Sequence, residues 1–235
     1  MTRKPAIIAI ILVVLGYAWL GYSMLVLNNP ILTMAVYYLG FCITGSRVLE
    51  NSVGKEKMKE VFEGFTRYNK PELPTLILIF IATAILWFCT LLIRPGMIDP
   101  EIISNGLNSL GMPRERYWYA AGFLMIANPI CEEILWREGI LRFLITRLEA
   151  RWAVIVSGLL FAGYHPIVVG MLFPPAWLLM IFILTFLGGI FLANLYLRTR
   201  QLGWPIAVHA VININLMIIG WLYSPSSCLL YTSPS

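Results

Sequence analysis

Charge is what this sequence has least of. Only 12% of its 235 residues are Asp, Glu, Lys or Arg, about half the fraction of an ordinary soluble domain. That scarcity argues against a water-surrounded globule. Cysteine is sparse too. Cys42, Cys89 and Cys131 stand singly in apolar stretches and Cys228 lies near the end. With no CxxC and no paired spacing, a disulfide framework and a cysteine zinc site are both excluded, and the three internal cysteines read as small buried hydrophobes. Nothing marks Cys131, beside two glutamates, as an activated nucleophile. HExxH is absent, and so are internal repeats and low-complexity tracts. There are two histidines in the whole chain.

What fills the chain instead is apolar sequence, 59% hydrophobic with a mean hydropathy of +0.79. Runs near the length of about 20 residues that crosses a bilayer lie at 5–27, 30–46, 74–93, 117–136, 152–170, 175–197 and 203–223. The first is too long and evenly apolar for a signal peptide and has no small-residue cleavage site, so a retained helix is expected. The +5 net charge has a topological pattern. Arg3 and Lys4 precede the first run. Arg47, Lys55, Lys57, Lys59, Arg67 and Lys70 follow the second, Arg142, Arg147 and Arg151 the fourth, and Arg198 and Arg200 the sixth. A cytoplasmic N-terminus puts all of these on one side, with Arg94, Arg114 and Arg116 opposite, as the positive-inside rule requires. The expected location is the cell membrane, multi-pass, with the lipid bilayer as a partner and no nucleic acid. The stretch RVLENSVGKEKMKEVFEGF reads either as an amphipathic helix on an anionic leaflet or as a solvated loop with some helix.

The last eight residues, CLLYTSPS (228–235), break with everything before them. They resemble the conceptual translation of a transposase-type sequencing adapter and are expected not to be native. The remainder, 1–227, reads as one polytopic membrane domain.

Ionisable groups inside membrane helices are costly and mark functional sites. They are few: Glu132, Glu133, Arg137 and Glu138 in NPICEEILWREGIL, His165 in LLFAGYHP, and His209, with Asn213, in PIAVHAVININ. Glu133 and Arg137 are four apart, in the acid-first order that pairs well on a helix. Glu132 lies about 140° around from Arg137 and is left without that cation. This segment alone supports two readings. One is a carboxylate kept free as a general base; the other is an intrahelical ion pair with a spare acid lining a polar pocket. His165 by itself fits a packed, hydrogen-bonded histidine, with Phe161 one turn earlier on the same face. His209 and Asn213, again four apart, fit either a donor pair or helix–helix glue.

Taken together, EEILWR, FAGYH and HAVIN match, in order, the EExxxR, FxxxH and HxxxN/D motifs of the CAAX protease and bacteriocin-processing (ABI) family, which the chain resembles over roughly 117–223. Glu138 stands where that family often has Gly, and Gly139 is displaced by one. The resemblance implies an all-α, polytopic transmembrane helical bundle, with about seven helices visible and an eighth truncated where the adapter-like tail begins. It implies a glutamate-type endopeptidase in which Glu132 with His165 activates water and His209 with Asn213 serves the oxyanion. Arg137 and Glu133 would brace the helix, with Phe161 in support. No cofactor is needed by that scheme. Zinc is the alternative, with Glu132, His165 and His209 as ligands.

The expected partner is a peptide or membrane-protein substrate. The family includes enzymes that process prenylated proteins, but no residue here identifies a prenyl pocket. Two rival functions are a non-catalytic immunity or regulatory membrane protein of the same fold and a proton-coupled transporter with a Glu132–His165 relay. The first has no need of the water-activating pair. The second lacks a repeated half with a matching broken helix.

Overall fold

The computed structural model describes residues 4–27, 29–65, 100–109, 117–170 and 175–222. All secondary structure among them is helical. The expected span at 74–93, the adapter-like tail and any eighth helix lie outside the described residues.

Helix α1 (Lys4–Tyr22) ends in a π-helical turn, Ser23–Leu27. Helix α2 is built of three contiguous segments, Pro30–Ala35, the π-helical Val36–Thr44 and Gly45–Val53. It starts cleanly because the Asn29 side chain accepts the Leu32 N–H at 3.0 Å and proline occupies the first turn. It runs past the boundary at 46 expected from hydropathy because Gly45, Ser46 and Leu49 are buried against the bundle. Gly54, at φ +95°, then turns the chain into α3 (Lys55–Phe65), a conformation that favours glycine. The amphipathic stretch is therefore two helices, and their buried faces carry Leu49 and Met58. A short α4 (Pro100–Ser109) was not foreseen.

The central element, α5, comprises Tyr117–Glu133, the π-helical Ile134–Leu141 and Arg142–Ile145. It too outruns its expected end, at 136. Helix α6 (Ala150–Gly163) gives way at Tyr164 to the short α7 (His165–Val169), with Pro166 in its first turn. Helices α8 (Pro175–Thr199) and α9 (Gly203–Leu222) complete the bundle. Among the described residues, five helical stretches are long and apolar enough to cross a membrane by length and composition: Pro5–Leu27, Leu32–Val53, Ala150–Val168, Trp177–Thr199 and Gly203–Trp221; the run expected at 117–136 is helical but is not one of them. The chain is a multi-pass, all-α membrane protein. Its exposed side chains are those of a lipid-facing surface, among them Ile7, Ile10, Val14, Leu25, Leu179 and Leu187.

Small residues set the closest crossings, as expected where helices gain little from leaving lipid. A Cβ on Gly189 would stand 3.0 Å from the Gly158 Cα, where α6 meets α8. A Cβ on Gly139 would stand 3.3 Å from the Ser46 Cα, where α2 meets α5. The displaced glycine of the EExxxR motif is thus the contact point with α2. Glu138, which precedes it, receives the Tyr196 hydroxyl of α8 at 3.4 Å.

Candidate active site

Helix α5 departs from regular geometry on both sides of its glutamates. Pro129 sits inside it and removes one backbone donor, and the π-helical segment begins directly after Glu133. Neighbouring helices supply donors to carbonyls there. Ser46 of α2 donates to the Ile134 carbonyl at 3.2 Å and Ser157 of α6 to the Trp136 carbonyl at 3.4 Å. Proline and π-bulges are tolerated at membrane depth when such partners compensate the backbone.

The two acids are held differently. Glu133 is fully buried and receives Arg137 Nε at 2.7 Å, with Nη2 at 3.5 Å. It also receives His209 Nδ1 from α9, at 3.0 Å. Arg137 is equally buried, its guanidinium 5.2 Å from the centre of the Phe161 ring. Glu132, 3% exposed, has no bond to Arg137 among the described contacts. Its Oε1 accepts the Asn128 amide at 2.9 Å, and its Oε2 faces His209 Nε2 at 3.8 Å. That gap is too long for a direct hydrogen bond and leaves Oε2 open to a small third party. Tyr164 presents its hydroxyl to the same carboxyl group.

Phe161 packs against both histidines, its ring centre 4.7 Å from that of His165 and 5.9 Å from that of His209. His165 Nδ1 is 2.8 Å from the Phe161 carbonyl. A carbonyl can only accept, so Nδ1 carries the proton and Nε2 of the neutral ring is left as the acceptor. Asn213 donates from Nδ2 to the Leu124 carbonyl at 2.9 Å and to Asn128 Oδ1 at 3.1 Å.

The fold therefore gathers Glu132, Glu133, Arg137, Phe161, His209 and Asn213 around one point, with His165 packed against Phe161. No direct bond joins His165 to Glu132 among the described contacts. Nor do three His, Cys, Asp or Glu side chains converge as a metal-binding group among the described residues.

Three members of the cluster escaped the sequence reading. Asn128 carried a signal, because it stands one α-helical turn before Glu132. Tyr38, which takes the second Asn128 N–H at 2.7 Å, and Tyr164 carried none, being aromatics in apolar surroundings.

The site lies deep. Tyr117, Trp118 and Trp221 cluster at one end of α5 and α9 with ring centres 5.1–5.4 Å apart, as aromatic residues do at a membrane interface. Arg142 and Arg147 mark the other end of α5. At 1.5 Å per residue, Glu132 is about 22 Å from the aromatic end and about 15 Å from the basic end.

Comparison with known proteins agrees with this part of the chain. Residues 114–215 match the family described as Type II CAAX prenyl endopeptidase Rce1-like. The matched stretch contains Glu132, Glu133, Arg137, His165, His209 and Asn213 and leaves Tyr38 outside. No curated protein and no solved structure matches the chain. Over residues 114–215, this chain is similar to the Rce1-like CAAX protease family.

Proposed function

We propose that this protein is a membrane-embedded endopeptidase that hydrolyses a peptide bond in a membrane-associated protein or peptide. The observation that carries the reading is the unequal treatment of two adjacent buried acids. Glu133 is spent on Arg137 and His209, while Glu132 has no bond to Arg137 among the described contacts and its Oε2 stands 3.8 Å from His209 Nε2. A purely structural pair has no use for a second carboxylate held this way, at the cost of burying it.

In this scheme a water beside Glu132 Oε2 gives its proton to Glu132 as its oxygen attacks the substrate carbonyl carbon. His165 Nε2 is the second acceptor available to orient that water. His209, with both nitrogens protonated, donates from Nδ1 to Glu133 and from Nε2 to the developing oxyanion. The charges then balance within the cluster, Arg137 against Glu133 and His209 against Glu132. Collapse of the tetrahedral intermediate breaks the C–N bond, and the proton held by Glu132 goes to the leaving amine. Asn213 can join the oxyanion site only by giving up the Leu124 carbonyl or Asn128, so its resting role is to position. No step is routed through a metal.

The distribution of basic residues supports a cytoplasmic side for the N-terminus and the basic end of α5. The family's name points to prenylated substrates as one class to test. The experiment is quantitative terminal proteomics of membranes carrying wild type or Glu132→Gln at matched abundance. The expected result is a new terminus present with wild type and absent with the variant. Equal cleavage by the two would remove Glu132 from the mechanism.

A further inference from the structure

The Glu132 carboxylate is aimed by a hydrogen-bond chain that crosses three helices, and its direction is fixed at one end. The Leu124 carbonyl can only accept, so the nitrogen of the Asn213 amide must face it, at 2.9 Å. The same nitrogen donates to Asn128 Oδ1 at 3.1 Å. Asn128 is thereby oriented with its own nitrogen toward Glu132 Oε1, at 2.9 Å, and Tyr38, at 2.7 Å. Both of its N–H groups and its oxygen are occupied. Rotating the amide by half a turn would set oxygen against the Glu132 carboxylate and nitrogen against nitrogen at Asn213, losing both of those bonds and keeping only that of Tyr38, whose hydroxyl would then donate.

We infer that Asn128, clamped by Tyr38 and Asn213, is the positioning residue that ties down Glu132 Oε1 and so leaves Oε2 as the reactive oxygen. The inference rests on the proposed role of Glu132. Tyr38 belongs to α2, outside the family-matched residues 114–215, so the amino-terminal helices enter the chemistry through this contact. Asn128 touches neither water nor substrate in the scheme. Its effect passes through Glu132, where a displacement of about 1 Å can lower turnover by about 100-fold.

The test uses full-length protein in detergent, with Asn128→Ala, Tyr38→Phe and Glu132→Gln variants. One arm needs no substrate: labelling of Glu132 by a hydrophobic carbodiimide, followed by mass spectrometry. Each hydrogen bond to a carboxylate oxygen must be broken before that oxygen adds to the reagent. Labelling at Glu132 is therefore expected to quicken about threefold or more in Asn128→Ala and measurably in Tyr38→Phe, with exposed Glu149 unchanged. The second arm is cleavage of whichever substrate the proteomics identifies. There kcat is expected to fall about 10–100-fold in Asn128→Ala, on the scale of lost orienting partners, and less in Tyr38→Phe, with KM retained in both. Any residual activity of Glu132→Gln should not fall further on adding Asn128→Ala. Unchanged labelling in Asn128→Ala, or a KM effect without a kcat effect, would overturn the inference. Quickened labelling in a protein that cleaves nothing would sustain the positioning of Glu132 while removing the endopeptidase reading.

Discussion

The buried ion pair makes the sharpest demand on the structure. Replacing Glu133 with glutamine keeps the shape and one acceptor oxygen but removes the negative charge from two donors, Arg137 Nε at 2.7 Å and His209 Nδ1 at 3.0 Å. Arg137 is 0% exposed. Its Nη1 already lacks a hydrogen-bond partner, and the Phe161 face it lies over is present before and after the change. Breaking a buried pair by removing one partner costs about 3–5 kcal/mol. The retained amide oxygen puts Glu133→Gln at the lower end, about 3 kcal/mol, or about 6–12 °C in midpoint by the scaling for chains of this length. Adding Arg137→Met removes the stranded cation and should recover much of the loss, since hydrophobic replacement of a buried pair is often neutral. Glu132→Gln leaves Arg137 and His209 their Glu133 partner and keeps the bond from Asn128, so its midpoint should stay within about 2 °C of wild type, roughly 1 kcal/mol or less on the same scale. The measurement is thermal unfolding in detergent, followed by size-exclusion fluorescence. A midpoint for Glu133→Gln within 2 °C of wild type would refute the argument, as would a double variant no more stable than the single one (about 2 °C being roughly 1 kcal/mol or less).

Three further outcomes concern the α6–α8 crossing and the site's donor set. Gly158→Val should destabilise by about 1–3 kcal/mol, the usual cost of overpacking, because even its Cβ would lie 3.0 Å from Ile190 Cγ1 and 3.2 Å from the Ile190 nitrogen. Gly188→Ala, one position from the same crossing but with nothing within 4 Å, should leave the unfolding midpoint where it is or raise it. Activity of purified protein should survive strong chelators; loss on chelation that zinc alone restores would recast Glu132, His165 and His209 as ligands.

What could be read in the sequence was whatever depends on a single helix. The run lengths matched five of the seven expected spans among the described residues, and four-residue spacing gave the Glu133–Arg137 pair, because each is a property of a single helix. Span ends were less legible. Helices α2 and α5 continue beyond their apolar runs because Ser46, Leu49, Phe143 and Ile145 are buried by neighbouring helices, a fact outside any local window. Nor did hydropathy signal the π-helical stretch after Glu133.

The contacts that were hidden share one physical cause. Tyr38 with Asn128, Ser46 with the Ile134 carbonyl, and Gly158 with Gly189 each join different helices, and each depends on axial register and rotation rather than on a period within either partner. A shift of one residue along α2 moves a side chain by about 1.5 Å and turns it through about 100°, enough to take Tyr38 out of reach of Asn128. Close crossings at Gly139 and Gly158 remove that freedom. Gly139 lets the Ser46 backbone of α2 approach α5 seven residues beyond Glu132, and the Ser46 hydroxyl then bonds Ile134. The register that seats Ser46 against Gly139 is the same register that carries Tyr38, two turns earlier on α2, to Asn128. A glycine that looked displaced within a motif thus helps decide where the Glu132 carboxylate points.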